Sequence, residues 1–259
     1  MPRANRYFLP GYVWHITHRC HKKEFLLKFA KDRDRWRYWL YEARKRYGLC
    51  VLNYIITSNH IHLLVRDTGE NVIPQSLQLI AGRTAQEFNQ RKKRKGAYWE
   101  DRYHATAVET GEHLAKCLIY IDLNMVRAGV VKHPAEWKHS GYREIQQPLQ
   151  RYSVIDISSL AMLCDMNDDE RFRQLHHQWV EETLKVHQQT RNPDWSKSIA
   201  IGSERFIEDV KAQLGVSARR RDIKSNDDGY TLREPATTYQ TGLEKSTLRP
   251  ENTHFWNQS

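Results

Sequence analysis

The chain has 259 residues, 39% hydrophobic and 28% charged, with a formal net charge of +10. Residues 1–150 hold 26 Lys/Arg against 14 Asp/Glu, whereas 151–259 hold 15 against 17, so the positive field belongs to the first half and is suited to polyanions, nucleic acid above all. No run approaches the roughly 18 consecutive apolar residues of a membrane span, and the initial Met-Pro-Arg-Ala-Asn-Arg-Tyr lacks the apolar core of a secretory signal; the composition argues against membrane, collagen-like, wholly disordered and secreted proteins.

Taken in chain order, Tyr12 to Arg19 (YVWHITHR) is rich in β-branched and aromatic residues and predicts a strand. From Asp32 to Tyr47, Trp36, Trp39, Leu40, Ala43 and Tyr47 recur at helical spacing, and Gly48 supplies the stop. Leu49 to Thr57 and His60 to Arg66 read as a hairpin turned at Ser58-Asn59. Pro74 opens a second helix whose inner face is Leu77, Ile80, Thr84 and Phe88, and the run Arg91 to Lys95 breaks it as a basic loop. Tyr103 to Glu109 is a fourth strand, and a third helix runs from Thr110 or Gly111 to about Arg127. The order predicts an α+β fold, a ferredoxin-like β-α-β-β-α-β antiparallel sheet with one added helix.

The second half reads differently. Phe172 to Leu184 and Glu204 to Leu214 carry helical spacing, separated by a polar stretch with Pro193. The expected organisation is a domain at 1–150, a helical appendage at 151–223 and a disordered tail at 224–259. Cys20, Cys50, Cys117 and Cys164 lie far apart with no C-x-x-C pair, which argues against a disulfide framework or cysteine zinc site and fits a reducing cytoplasm.

His60-Ile61-His62 is the sharpest local feature. Residues two apart on a strand share a face, so both imidazoles project together and could hold a divalent ion; an H-x-H pair also arises by chance. On the third helix Leu114, Leu118, Ile121 and Met125 form the core stripe, and Tyr120 with Asn124 lies on another face. An amide oxygen one turn from a phenol could complete a His-His-Asn site, or Tyr120 could simply pack its ring under a loop. His15 and His18 have opposite strand parity, so they cannot both face one site, and both are left out of the metal shell.

Four segments in order carry a family resemblance: Trp14 to Arg19 (WHITHR), Ser58 to Val65 (SNHIHLLV), Gly96 to His104 (GAYWEDRYH) and Tyr120 to Gly129 (YIDLNMVRAG). Over roughly residues 7–145 the sequence resembles the HUH single-tyrosine transposases, the REP-associated tyrosine transposase group in particular. The resemblance implies His60, His62 and Asn124 as metal ligands, Tyr120 as nucleophile, Mg²⁺ or Mn²⁺ as cofactor, and cleavage and rejoining of single-stranded or REP-like hairpin DNA through a 5′-phosphotyrosine. The usual Asn-Pro of the fourth segment is Asn124-Met125 here.

DNA binding needs cations for phosphates and rings for unstacked bases. The expected contacts are Arg91, Lys92, Lys93, Arg94 and Lys95 beside Tyr98 and Trp99, together with Arg127 and with Lys116, four residues before Tyr120 on the same stripe; the Arg33 to Trp39 segment offers a second basic cluster, although Trp36 and Trp39 fit a core better. A monomer or homodimer is expected. Two other readings remain open on the sequence: a non-catalytic single-strand nucleic-acid-binding module, and an RNA-processing nuclease using His60 or His62 as general acid–base.

Overall fold

The computed structural model describes residues 8–186, 192–218, 221–226 and 229–234. Its first strands and helices follow the expected order: β1 (Val13–Arg19), α1 (Ala30–Tyr47), β2 (Cys50–Ile56), β3 (His60–Arg66), α2 (Val72–Lys92), β4 (His104–Val108) and α3 (Glu112–Asp122). These four strands lie in the order β2-β3-β1-β4 and every neighbour is antiparallel. Gly48 ends α1 in the left-handed conformation, as its place after the last apolar position suggests.

Strand alternation sorts the side chains onto two faces. On one face, Arg37 of α1 donates to the Tyr54 hydroxyl and Trp99 donates its indole N–H to the Ala81 carbonyl of α2; Trp14, Ile16, Ile61, Leu63 and Val65 are buried there. Trp36 and Trp39 are buried, as core residues should be. The opposite face carries His15, His60 and His62, and α3 packs over it through Asn53 and Asp122.

Three features depart from expectation. The third helix is not continuous to Arg127: α3 stops at Asp122, Leu123 takes φ −81° and ψ 5°, and a short α4 (Asn124–Arg127) follows. The break falls beside the Asp122 carboxylate, which is drawn inward to Asn53 and His176. Arg91 and Lys92 belong to the last turn of α2 and Lys93 caps it, so the basic run begins inside a helix.

The third departure is the sheet itself, which has seven strands and is mixed. After α5 (Tyr142–Gln146), α6 (Ile157–Leu163) and α7 (Asp169–Lys185), β5 (Ala200–Gly202) pairs in parallel with β4. After α8 (Glu204–Leu214), β6 (Asp222–Asn226) and β7 (Gly229–Arg233) extend the sheet in the order β5-β7-β6. The α7 and α8 helices match the predicted spacings, but 151–223 is not helical alone. Residues 224–226 and 229–233 are strand where a tail is expected; the remainder of that expected tail, apart from Glu234, lies outside the described residues. The four thiols are free, and among the described residues no helix is long and apolar enough to cross a membrane.

Candidate active site

His60 and His62 stand side by side at the start of β3, with ring centroids 5.1 Å apart and planes nearly perpendicular. His60 Nδ1 lies 2.7 Å from Asn59 Oδ1 and 2.9 Å from Thr57 Oγ1. Asn59 in turn donates its Nδ2 to the Lys23 carbonyl, which orients the amide so that its oxygen faces His60. His62, buried, lies deeper in the sheet, opposite Thr17 of β1 and Ile55 of β2. Its Nδ1 is 2.8 Å from His15 Nε2, and its Nε2 is 3.1 Å from Asn124 Nδ2.

His15 is a member that sequence reasoning missed. As strand parity requires, the two diverge: His18 faces the other side of the sheet, stacked on Trp99 at 4.1 Å, while His15 faces His62. Burial pushes the His15 imidazole down to about 3. Its Nδ1 lies 2.8 Å from the carbonyl oxygen of Trp195, a residue of the short turn Pro193–Ser196, 180 positions away. Thr106 donates to the Trp195 and Ser198 carbonyls, and His104 Nε2 lies 2.8 Å from the Ser198 carbonyl, so this segment is laced to β4.

Tyr120 enters from α3. Its ring centroid is 5.9 Å from that of His62, 6.2 Å from His15 and 6.0 Å from Trp195. The helical angle alone points Tyr120 away from the core; the Pro193–Ser196 turn is the extra layer that covers it. The Arg127 guanidinium carbon sits 4.2 Å from the Tyr120 ring centroid, and the same side chain donates to the Tyr120 carbonyl. Tyr120, Asn124, His62 and Arg127 are thus gathered together, with His60 adjoining.

The basic residues divide. Arg91 pairs with Asp32, Arg94 donates to the Ala97 carbonyl and approaches Glu24, and Lys116 pairs with Glu112 at 2.9 Å. Tyr98 is buried and Trp99 is stacked on His18. In α1, Arg33 donates to His139 and to the Leu27 and Lys28 carbonyls, and Arg35 binds Glu87. Lys92, Lys93 and Lys95 are exposed. The loop between β1 and α1 adds Lys22, Lys23 and Lys28 with two outward rings, Phe25 (65% exposed) and Phe29 (52%). This loop adjoins the imidazole pair, because Leu27 N–H donates to the Ser58 carbonyl and Cys20 N–H to that of Asn59.

Residues 10–124 match a family of transposases, a span that contains β1 to α3 and every one of His15, His60, His62, Tyr120 and Asn124. The family is that described as IS200-like, and this part of the chain is similar to its transposase domain. Among solved structures, a REP-associated tyrosine transposase bound to a REP hairpin is 19% identical, covers 61% of this chain and 96% of its own, and has a TM-score of 0.48. A protein described as a transposase of Deinococcus radiodurans R1 is 16% identical over 49% of this chain and 97% of its own, with a TM-score of 0.33. No curated protein matches the chain.

Proposed function

We propose that the domain cuts and rejoins single-stranded DNA through Tyr120, with a divalent cation held by His60, His62 and Asn124. The observation that carries this reading is the convergence of a phenol from α3 and an amide from α4 on one imidazole of an H-x-H strand, within a domain similar to the IS200-like family.

The donor set fits such an ion. Among the described residues no three His, Cys, Asp or Glu side chains are placed to share a metal, so the third protein ligand would be the Asn124 carboxamide. Two imidazoles with an amide oxygen and no thiolate suit Mn²⁺, and Mg²⁺ where water and phosphate oxygens complete the shell. When bound, the ion would withdraw charge from the phosphoryl oxygens of the scissile bond.

The chain's own residues account for the remaining steps. The Tyr120 oxygen attacks phosphorus and loses its proton, and the bond to the 3′ oxygen breaks, leaving a 5′-phosphotyrosine and a 3′-hydroxyl. Arg127, 4.2 Å from the Tyr120 ring centroid, places a fixed cation beside the phenol as it attacks. Attack by a 3′-hydroxyl on the phosphotyrosine releases Tyr120 and reseals the strand. Lys22, Lys23 and Lys28 would take phosphates, while Phe25 and Phe29 offer faces for unstacked bases. The substrate that the resemblance suggests is a REP-like hairpin with a single-stranded flank.

The test is incubation with end-labelled hairpin DNA and Mn²⁺. A protein–DNA adduct that survives denaturation, and is lost in Tyr120→Phe, is expected. Cleavage that persists in Tyr120→Phe overturns the assignment; binding without any cleavage favours a non-catalytic module, and metal-free RNA cleavage a nuclease.

A further inference from the structure

We infer that His15 is a positioning residue which, held by the Trp195 main chain, fixes the tautomer of His62 so that Nε2 is its metal-binding nitrogen. This rests on reading His60 and His62 as ligands, and adds a role for a segment outside the family match.

The protons along one chain of atoms are fixed by their partners. The Trp195 carbonyl oxygen can only accept a hydrogen bond, so His15 Nδ1, 2.8 Å away, carries the proton. His15 is completely buried, and its ring meets a carbonyl, an imidazole and the edge of a phenol. The Asn124 amide nitrogen, 3.1 Å from His62 Nε2, can only donate, so the single proton of a neutral His62 lies on Nδ1. His15 Nε2 is therefore an acceptor, and His62 Nδ1, 2.8 Å away, must supply the proton between them. A neutral imidazole protonated on Nδ1 carries its lone pair on Nε2. That is the nitrogen facing Asn124 at 3.1 Å.

The same tautomer is imposed on His60 by different means. Asn59 Oδ1, oriented by the bond from Asn59 Nδ2 to the Lys23 carbonyl, accepts from His60 Nδ1. The Thr57 hydroxyl donates to the His60 carbonyl and so also accepts at Nδ1. Both imidazoles are thereby prepared as Nε2 donors before any ion arrives. Outer partners of this kind commonly set ligand orientation and basicity, and their loss costs about 10- to 100-fold in metal affinity. The unusual feature is the origin of the outermost partner, a backbone carbonyl in the second half of the chain.

The test uses the full-length protein and Mn²⁺ alone. Titration followed by the electron paramagnetic resonance signal of free Mn²⁺ should show His15→Phe binding roughly 10- to 100-fold more weakly than the wild type. His15→Gln, which keeps an acceptor toward His62, should recover part of the loss. A readout independent of the metal is the long-range ¹H–¹⁵N spectrum of the histidine rings. In the wild type without metal, His62 should appear as the Nδ1–H form, and in His15→Phe this preference should be lost. An Nε2–H form of His62 in the metal-free wild type overturns the proposal, even if His15→Phe does not fold. Equal Mn²⁺ affinity in folded wild type and His15→Phe does so as well. Failure of the wild type to bind Mn²⁺ at all overturns the ligand assignment itself, and this proposal with it.

Discussion

Two cations compete for the role of neighbour to the Tyr120 phenol, and geometry separates them. Arg127 lies against the ring face at 4.2 Å, whereas Lys116, one turn earlier on α3, is committed to Glu112. A cation over an aromatic face contributes about 0.5–2 kcal/mol. Arg127→Gln should therefore slow single-turnover adduct formation roughly 2- to 30-fold, and Lys116→Ala should leave it within about twofold, since an exposed ion pair contributes little. A larger loss in Lys116→Ala would reverse this assignment. Much of this cluster is legible in the sequence, because H-x-H on a strand and Tyr-x-x-x-Asn near a helix end fix which side chains can meet. His15 is harder to read: parity says that His15 and His18 diverge, but not which of the two turns toward His62. That depends on strand register, with Thr17 opposite His62.

A second single-residue effect concerns acid. Burial, reinforced by the Arg33 guanidinium donating to Nδ1, holds the His139 imidazole below its usual range. The unfolded chain takes up a proton there as pH falls through about 6.5, while the folded chain resists it. The stabilisation is complete above that pH and declines below it, by at most about 1.4 kcal/mol per pH unit. Urea unfolding at a series of pH values from neutral to mildly acidic should show this decline, and His139→Gln should flatten it. Parallel slopes in the two proteins would remove His139 from the account.

At the scale of elements, the position of α3 decides whether the site exists. The Asp122 carboxylate, at the middle of the Tyr120–Asn124 segment, receives the Asn53 amide at 2.9 Å and faces His176 Nε2 at 2.8 Å. Gln146 of α5 reaches the other nitrogen of His176 at 2.9 Å. One buried acid thus joins β2, α3, α5 and α7. Asp122→Ala leaves two buried groups without their partner and should lower stability by about 3–5 kcal/mol, measured by chemical denaturation. Any folded fraction should also show weakened Mn²⁺ binding, because α4 and Asn124 follow directly from Asp122. An unaltered midpoint would mean that α3 is held by its apolar stripe alone. That stripe, Leu114, Leu118 and Ile121, is visible in the sequence and buried as expected. The break at Leu123 is not visible, since no Pro or Gly marks it and its partners Asn53 and His176 lie far away in the chain.

Over the whole molecule, local pattern stops being informative where the strands become short and polar. Ala200–Gly202 has three residues, and Asp-Ile-Lys-Ser-Asn of β6 has a composition that favours loops. Both are strands because β4 offers an open edge and β7 bridges them, a tertiary cause that no local window contains. The consequence is that the second half continues the same sheet and delivers Trp195 to the site.

Charge has the same non-local character. The sequence places the strongest basic run at Arg91–Lys95, yet folding commits Arg91 to Asp32 and Arg94 to Ala97 and Glu24. Lys22, Lys23 and Lys28, scattered in sequence, share the exposed loop that is hydrogen-bonded to the residues just before His60. If single-stranded DNA follows this loop into the site, each phosphate contact adds about 0.7 to the slope of log affinity against log salt. Lys28→Ala should therefore reduce that slope by about 0.7 and weaken binding evenly across sequences. Arg91→Ala should leave the slope nearly unchanged and instead lower stability, because the buried Asp32 loses its partner. Fluorescence-anisotropy titrations over a range of salt concentrations distinguish the two. The opposite pattern, a slope sensitive to Arg91 and indifferent to Lys28, would move the strand to the α2 end of the domain.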